Sequence, residues 1–316
     1  MRVIRHLARV GSRLPRVVLT LGNFDGVHRG HQAIIARAIT AARARGGQSV
    51  VLTFHPHPVE VLAAERAPGR VQSLHDRLRT LQRFGVDVVV VQRFTHAFSS
   101  LEPEGFITRF ILPSLELVEI VVGYNVTFGR HRAGTADTLR ALGASHGFGV
   151  EAVGSVMDED TAVSSSGVRQ AIAAGDVGQA RLLLGRPYRL RGRVVMGEQR
   201  GRTLGFPTAN LHVGSRIVLP ADGVYAVHAR VGGGPLPAVL NIGVRPTFGT
   251  LGRTVEAHVL DWQGDLYGRW LELEFVARLR GERRFSGPGE LRQAIAQDVA
   301  QARIALAAEP AVSECP

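Results

Sequence analysis

Leu21-Gly22-Asn23-Phe24-Asp25-Gly26-Val27-His28-Arg29-Gly30-His31-Gln32 is the stretch on which the reading of this 316-residue chain turns. The apolar run Val17-Val18-Leu19-Thr20 leads into it, and Ile34, Ile35, Ala38, Ile39 and Ala42 leave it at helical spacing. It therefore reads as strand, glycine-rich turn and helix, with two histidines three residues apart around the first helical turn. A helix N-terminus presents N–H groups and a partial positive charge, which suits a phosphate. Glycines at 22, 26 and 30 let backbone and ligand approach closely. Imidazoles placed there can donate to phosphate oxygens as charge builds on them. The outline is that of a nucleotide site; the plainer alternative is a strand-to-helix turn with idle surface histidines.

Bulk properties narrow the classes. The length exceeds what one hydrophobic core usually organises, which predicts two domains. Hydrophobic content of 45% and a mean hydropathy of +0.07 are ordinary for a soluble globular protein. No run of about 20 apolar residues is present, so no membrane span is expected. Met1 to His6 carry positive charge, but neither an apolar core nor a small-residue cleavage site follows, so no signal peptide is expected. The single cysteine, Cys315, can close no internal disulfide, which fits a reducing cytoplasm.

The formal net charge is +11, yet there is no lysine, and all 38 basic residues are arginine. They are scattered, without a basic stripe or interleaved aromatics, so no nucleic-acid partner is expected. Without lysine a Walker P-loop cannot operate. Nor can the Lys-Met-Ser-Lys-Ser loop of class I aminoacyl-tRNA synthetases. Any ATP chemistry rests on arginine, backbone, histidine and metal.

The first half continues as alternating strands and helices. Ser49 to Phe54 reads as a buried parallel strand running into His55-Pro56-His57-Pro58, where prolines at alternate positions stop both strand and helix and hold two histidines in an extended loop. A His-x-His pair hints at metal, but no carboxylate or cysteine cluster accompanies it, so zinc is not expected. Helices follow at about Ser73 to Phe84, Pro103 to Ile111 and Ala136 to His146, with strands at Val86 to Val91, Glu119 to Val122 and Glu151 to Val156. Gly123-Tyr124-Asn125-Val126-Thr127-Phe128-Gly129-Arg130 places glycines around a short turn near a ligand. Val163-Ser164-Ser165-Ser166-Gly167-Val168-Arg169 reads as a helix N-cap whose hydroxyls and arginine can also reach phosphate.

At Gly185-Arg186-Pro187 the texture changes to short alternating strands with Gly and Pro turns up to about 280, the pattern of an antiparallel barrel or sandwich. In Gly197-Glu198-Gln199-Arg200-Gly201-Arg202-Thr203-Leu204-Gly205-Phe206-Pro207-Thr208-Ala209-Asn210, the glycines make a flexible loop. Thr208 and Asn210 lie two apart and share one face of a strand. A hydroxyl and an amide carbonyl there can help hold Mg²⁺ with its waters. Thr254 to Asp261 alternates as a strand bearing one acidic residue within it, Glu256. The final helix, about Gly289 to Ala307, shows Leu291, Ile295, Val299 and Ile304 as its core-facing stripe. The tail from Glu309 to Pro316 reads as disordered.

His-x-Gly-His at a helix start after Gly-x-Phe-Asp-Gly resembles the nucleotidylyltransferase signature. The Thr-Phe-His-Pro-His-Pro, Gly-Tyr-Asn, Ser-Ser-Ser-x-x-Arg and Gly-x-x-Leu-Gly-Phe-Pro-Thr-Ala-Asn strings resemble, in order, those of bacterial bifunctional riboflavin kinase/FAD synthetases. That resemblance implies a Rossmann-like α/β nucleotidylyltransferase domain over 1–186, then an antiparallel β-barrel riboflavin kinase domain over 187–316 with a C-terminal helix. It implies two reactions: riboflavin phosphorylation by ATP to FMN, and transfer of AMP from a second ATP onto FMN to give FAD and pyrophosphate.

By the same resemblance His28, His31 and Arg169 are catalytic for adenylyl transfer. Gly22, Phe24, Asp25, Gly30, His57, Asn125, Ser164 and Ser165 bind nucleotide there. In the barrel Glu256 is the general base, while Gly197, Arg202, Gly205, Thr208 and Asn210 bind nucleotide, the last two with Mg²⁺. Asn241, Arg284 and Phe285 border the flavin. The implied partners are ATP, riboflavin and FMN, with no nucleic acid or membrane and with weak homo-oligomerisation left open. Two rival readings remain: a tRNA-linked nucleic-acid binder, and a flavin-binding module with one site decayed.

Overall fold

A parallel sheet is built first, because the chain's opening third supplies runs of β-branched residues that are apolar on both faces. In the computed structural model, residues 1–159, 161–197, 201, 205–231, 234–244 and 252–309 are described. The chain divides into two compact units, 1–69 with 73–165, and 70–72 with 166–316.

The first unit holds the six-stranded sheet β1 (Arg2–Arg5), β2 (Leu14–Leu21), β3 (Gln48–Phe54), β4 (Val88–Gln92), β5 (Leu115–Gly123) and β6 (Gly149–Val153), ordered β1-β4-β3-β2-β5-β6. All five pairings are parallel. Helix α1 (Arg29–Ala44) lays Ala38, Ala41 and Ala42 against Val18 and Val121, small side chains that let helix and sheet approach closely. On the same helix Ile35 and Ile39 join Leu81 of α3 (Leu74–Arg83) over Val51 and Val89. A second core of Leu19, Val50, Val90, Phe106, Ile107, Ile111 and Leu139 closes around the remaining sheet surface. The short helices α2 (Pro58–Leu62), α4 (His96–Ser99) and α5 (Pro103–Gly105) lie in connections, and α6 (Ala136–His146) precedes β6. A small hairpin, β7 (Met157–Asp158) with β8 (Thr161–Ala162), follows β6.

Three details depart from the sequence reading. The basic N-terminus is a strand, with Arg2 to Arg5 paired to Val88 to Val91 at the sheet edge. Pro58 does not stop a helix but starts one: at the first helical position the missing N–H would have had no partner inside the helix, and φ is already set. The helix expected over Pro103 to Ile111 passes into a π-helix at Phe106–Ile111, which buries Phe106, Ile107 and Ile111 together.

The second unit includes α7 (Ser165–Ala174) from Ser166 onward and α8 (Val177–Leu184). A closed barrel follows: β9 (Arg189–Val195), β10 (Ala209–His212), β11 (Gly223–Arg230), β12 (Pro235–Val244), β13 (Arg253–Val259) and β14 (Trp270–Gly281), ordered β10-β13-β12-β11-β14-β9. Every pairing is antiparallel. Period-two alternation turns Leu190, Leu211, Tyr225, Leu240, Val255, Leu273 and Phe275 inward, all buried. Helix α9 (Pro288–Ala308) packs Ala302 and Leu306 on the outer-face residues Val224, Ala226 and Val239.

Its fully buried positions are Ala294, Asp298, Ala302 and Leu306; of the expected stripe Leu291, Ile295 and Val299 are half-buried, whereas Ile304 is 73% exposed, which corrects its assignment. The periodicity misleads because one core-facing position is an acid, Asp298. Arg280 binds it through Nε and Nη2, both at 2.8 Å.

Candidate functional site

The strand order reverses at β2: β3, β4 and β1 lie on one side of it, β5 and β6 on the other. In open α/β sheets ligands bind at such a switch point, beyond the carboxyl ends of the strands. A cavity of about 1060 Å³ opens there, walled by the segments that leave β2, β3, β5 and β6 and by Val163 to Ser165.

Its floor is the turn after β2. Phe24 and Val27 adopt positive φ, 49° and 41°, on either side of Gly26 at 82°. A positive φ is costly for a bulky or β-branched residue and persists only where the surroundings over-determine it. Here Phe24 is 1% and Val27 0% exposed, both locked into the core beneath α1. The contortion delivers His28 to the N-cap of α1 and His31 into its first turn. Their rings stack with centroids 3.6 Å apart, and Phe24 meets His31 edge-on at 5.1 Å. A Cβ on Gly30 would press within 3.3 Å of the His28 ring and 3.4 Å of the Val163 carbonyl. Glycine at this position therefore keeps the helix start open.

Gly22, Phe24, His28, Gly30, His31, Asn125, Ser164 and Ser165 all line this cavity, so the structure brings these sequence-predicted residues together. Three others are not part of its wall. Asp25 is buried, and its carbonyl accepts from Ser165 Oγ at 3.0 Å. His57 caps α2, its Nδ1 accepting from Val59 N at 3.3 Å. Arg169 lies in α7 within the second unit and donates to Ser166 Oγ at 3.2 Å.

One feature of the cavity escaped the sequence reading. Phe54, Phe94, Phe98, Phe106 and Phe128 line it as a continuous aromatic wall, neighbouring centroids lying 5.6–6.1 Å apart. They come from four separate stretches of chain, with only Phe94 and Phe98 near one another in sequence, so no local pattern announces the wall.

The second constellation lies on the outer face of the barrel. Glu256 on β13 pairs directly with Asn210 on β10 and with Asn241 on β12, so the three side chains form a lateral row across three strands. Beyond Asn210 the row continues to Val195. A Cβ on Gly197 would collide with the Asn210 amide, and one on Gly201 would stand 3.2 Å from Thr208 Oγ1. The glycines thus let the loop backbone lie against both predicted metal-holding side chains. Thr208 itself sits just before β10. His258, on the same face of β13 as Glu256, holds the Pro207 carbonyl through Nδ1 at 2.8 Å.

Gly205 is in the left-handed region at φ 86°. Phe285 is flanked by the guanidinium groups of Arg283 at 4.7 Å and Arg280 at 5.6 Å, while Arg284 is exposed. Arg202 lies outside the described residues, as does the Arg245 to Phe248 part of the Asn241 motif. Among the described residues no three histidine, cysteine or carboxylate side chains gather to hold a metal, and no helix is long and apolar enough to cross a membrane.

Comparison with known proteins matches each part of the chain to a family. The family model for FAD synthetase matches residues 11–167, and that for riboflavin kinase matches 184–306. A bifunctional riboflavin kinase/FMN adenylyltransferase of Escherichia coli K12 is 39% identical over 306 residues, covering 96% of this chain and 97% of the relative. Proteins of the same description from Pseudomonas fluorescens and Bacillus subtilis are 43% and 37% identical, covering 98% and 90% of this chain and 99% and 91% of their own lengths. A solved structure from Streptococcus pneumoniae, described as a macrolide-efflux protein, is 32% identical with a TM-score of 0.87, covering 96% of this chain and 99% of its own.

Proposed function

The chain belongs to the bifunctional riboflavin kinase/FMN adenylyltransferase family, and from that premise we propose how its residues divide the two reactions. The enzyme phosphorylates riboflavin with ATP and adenylylates FMN with ATP. Residues 1–186 are assigned to adenylyl transfer and 187–316 to the kinase, in a cytoplasmic protein without a nucleic-acid partner.

In the kinase reaction the riboflavin 5′-hydroxyl oxygen attacks the γ-phosphorus of ATP, the bond to the ADP oxygen breaks, and the hydroxyl proton must leave. Glu256 accepts that proton. Asn241 and Asn210, on either side of it in the strand row, orient the flavin hydroxyl and the nucleotide respectively. Thr208 Oγ1 and Asn210 Oδ1 are neutral hard oxygens beside Gly201 and Gly197 respectively. That donor set fits Mg²⁺, which keeps several waters and takes its remaining ligands from the nucleotide phosphates. When bound, the ion supplies charge neutralisation on those phosphates. Gly197, Gly205 and Arg202 complete the nucleotide side, with Arg284 and Phe285 bordering the flavin.

In adenylyl transfer an FMN phosphate oxygen attacks the α-phosphorus of ATP and pyrophosphate leaves. His28 and His31, with the N-terminus of α1, stabilise the charge that develops on the α-phosphate. Gly22, Phe24 and Gly30 shape the cradle, Asp25 fixes its turn, and Asn125, Ser164 and Ser165 contact nucleotide. Arg169 holds the leaving pyrophosphate, and His57 supports the nucleotide side through its loop. The phenylalanine wall is apolar and planar, which suits the isoalloxazine of FMN.

The observation that carries the reading is the juxtaposition, within one cavity, of stacked histidines at a helix N-terminus and a wall of phenylalanine rings. The test is a time course with riboflavin, ATP and Mg²⁺, the flavins separated by chromatography. FMN first and FAD after it supports the division; FMN alone removes the adenylyl-transfer assignment, and no phosphorylated flavin removes both.

A further inference from the structure

We infer that Arg77, on α3 and away from every residue assigned to the chemistry, is a positioning residue for adenylyl transfer: it ties the end of β2 to the end of β3 and so holds the turn that carries His28 and His31. The inference rests on the adenylyl-transfer reading of the first unit.

Pairing between β2 and β3 runs out at Leu21 and Leu52, with a last bond from Gly22 N to the Leu52 carbonyl at 3.1 Å. Beyond it the two chains separate, one toward α1 and the other toward α2. Arg77 spans the gap. Its Nη1 donates to the Asn23 carbonyl and its Nη2 to the Phe54 carbonyl at 3.3 Å. Thr53 Oγ1 reaches the same Asn23 carbonyl at 3.2 Å. Both Asn23 and Phe54 line the cavity, so Arg77 stands behind its wall, only 7% exposed.

Burying a guanidinium is costly unless its donors are satisfied, and a rigid planar fork can hold two carbonyls at a fixed separation where an ammonium offers a single point. The held backbone is the segment that needs holding. Asn23 immediately precedes Phe24 at φ 49°, and the strained turn ends at His28. If Asn23 drifts, the two imidazoles move relative to the α-phosphate, and small misplacements of reacting groups cost large factors in rate.

The full-length chain provides its own control, because the kinase reaction occupies the other unit. In Arg77→Met, kcat for FAD formation from FMN is expected to fall about tenfold or more, with KM for ATP within about threefold and the kinase rate within about twofold. Amide hydrogen exchange at residues 23–28 should quicken in the same variant. Arg77→Lys keeps the charge and stem, so it should fold even if the methionine variant does not, and should recover only part of kcat.

An unchanged kcat in either variant overturns the inference, and so does an equal loss of both activities, which would mark Arg77 as a support of the fold alone. His31→Ala separates the two levels. If it leaves FAD formation intact, the reading of the site fails; if it abolishes FAD formation while Arg77→Met does not, only the role of Arg77 fails.

Discussion

The two sites proposed for this chain would handle phosphate by opposite means. In the first unit backbone does most of the work: parallel strands end together, a turn with positive φ at Phe24 and Val27 redirects the chain, and a helix N-terminus faces the cavity. In the barrel the backbone is an antiparallel ladder, and the proposed site is a row of side chains, Asn210, Glu256 and Asn241, brought level by register. A site made of strained backbone needs a buried scaffold to hold it, and it has one in the core beneath α1 and in Arg77. A site made of side chains on an outer face needs backbone close beside it instead, and the glycines at 197 and 201 allow that approach.

The comparison can be broken at either end. The largest effect is expected from Glu256→Gln, which keeps the shape and removes the base. Riboflavin phosphorylation should fall by about 10²–10⁴-fold, while supplied FMN is still converted to FAD. A kinase rate within a few fold of the parent would end the role given to Glu256.

Next is His31→Ala, for which FAD formation should fall on the order of 10²-fold and FMN should accumulate from riboflavin. Asn210→Ala should weaken the kinase about tenfold, the scale of one lost hydrogen bond to a charged group, and raise its Mg²⁺ requirement. A Mg²⁺ titration reads this directly, and an unshifted midpoint would move the ion elsewhere. Gly197→Ala tests that close approach: its new methyl must displace the Asn210 amide, so KM for ATP in the kinase should rise several-fold with kcat less affected.

The smallest effect concerns stability. His228, buried on the barrel's outer face with Nε2 on the Glu309 carbonyl at 3.0 Å, has its pKa lowered from 6.5. Burial is the main cause, opposed by Glu274 and reinforced by Arg230. The unfolded chain therefore binds the proton more readily than the folded one. His228 costs nothing above pH 6.5, and stability declines as pH falls below it. His228→Gln should flatten that acid-side decline in thermal unfolding of the barrel, and an unchanged slope would show that other groups set it.

Much of this was legible in the sequence where the chemistry is local. The strand–turn–helix at residues 17–44, the alternation of the barrel strands and the boundaries of α6 and α8 follow from periodicity and caps within short windows. What was not legible depends on partners far along the chain. Arg2 to Arg5 is a strand only because Val88 to Val91 lies alongside it. The lateral row at Glu256 needs the register of three strands, and the aromatic wall gathers phenylalanines between residues 54 and 128. Arg77 looks like any arginine on an amphipathic helix until the two carbonyls appear. Asp298 disguised the buried face of α9 because hydropathy treats a paired acid as an exposed one.

The central claim is that two independent sites act in sequence on one flavin. Mixing Glu256→Gln with His31→Ala, and supplying riboflavin, ATP and Mg²⁺, tests it most directly. Alone, the first variant should leave riboflavin unphosphorylated and the second should stop at FMN. Together they should produce FAD, the second variant supplying FMN that the first adenylylates. If the mixture stalls at FMN, or if either variant alone loses both activities, the two sites are not separable.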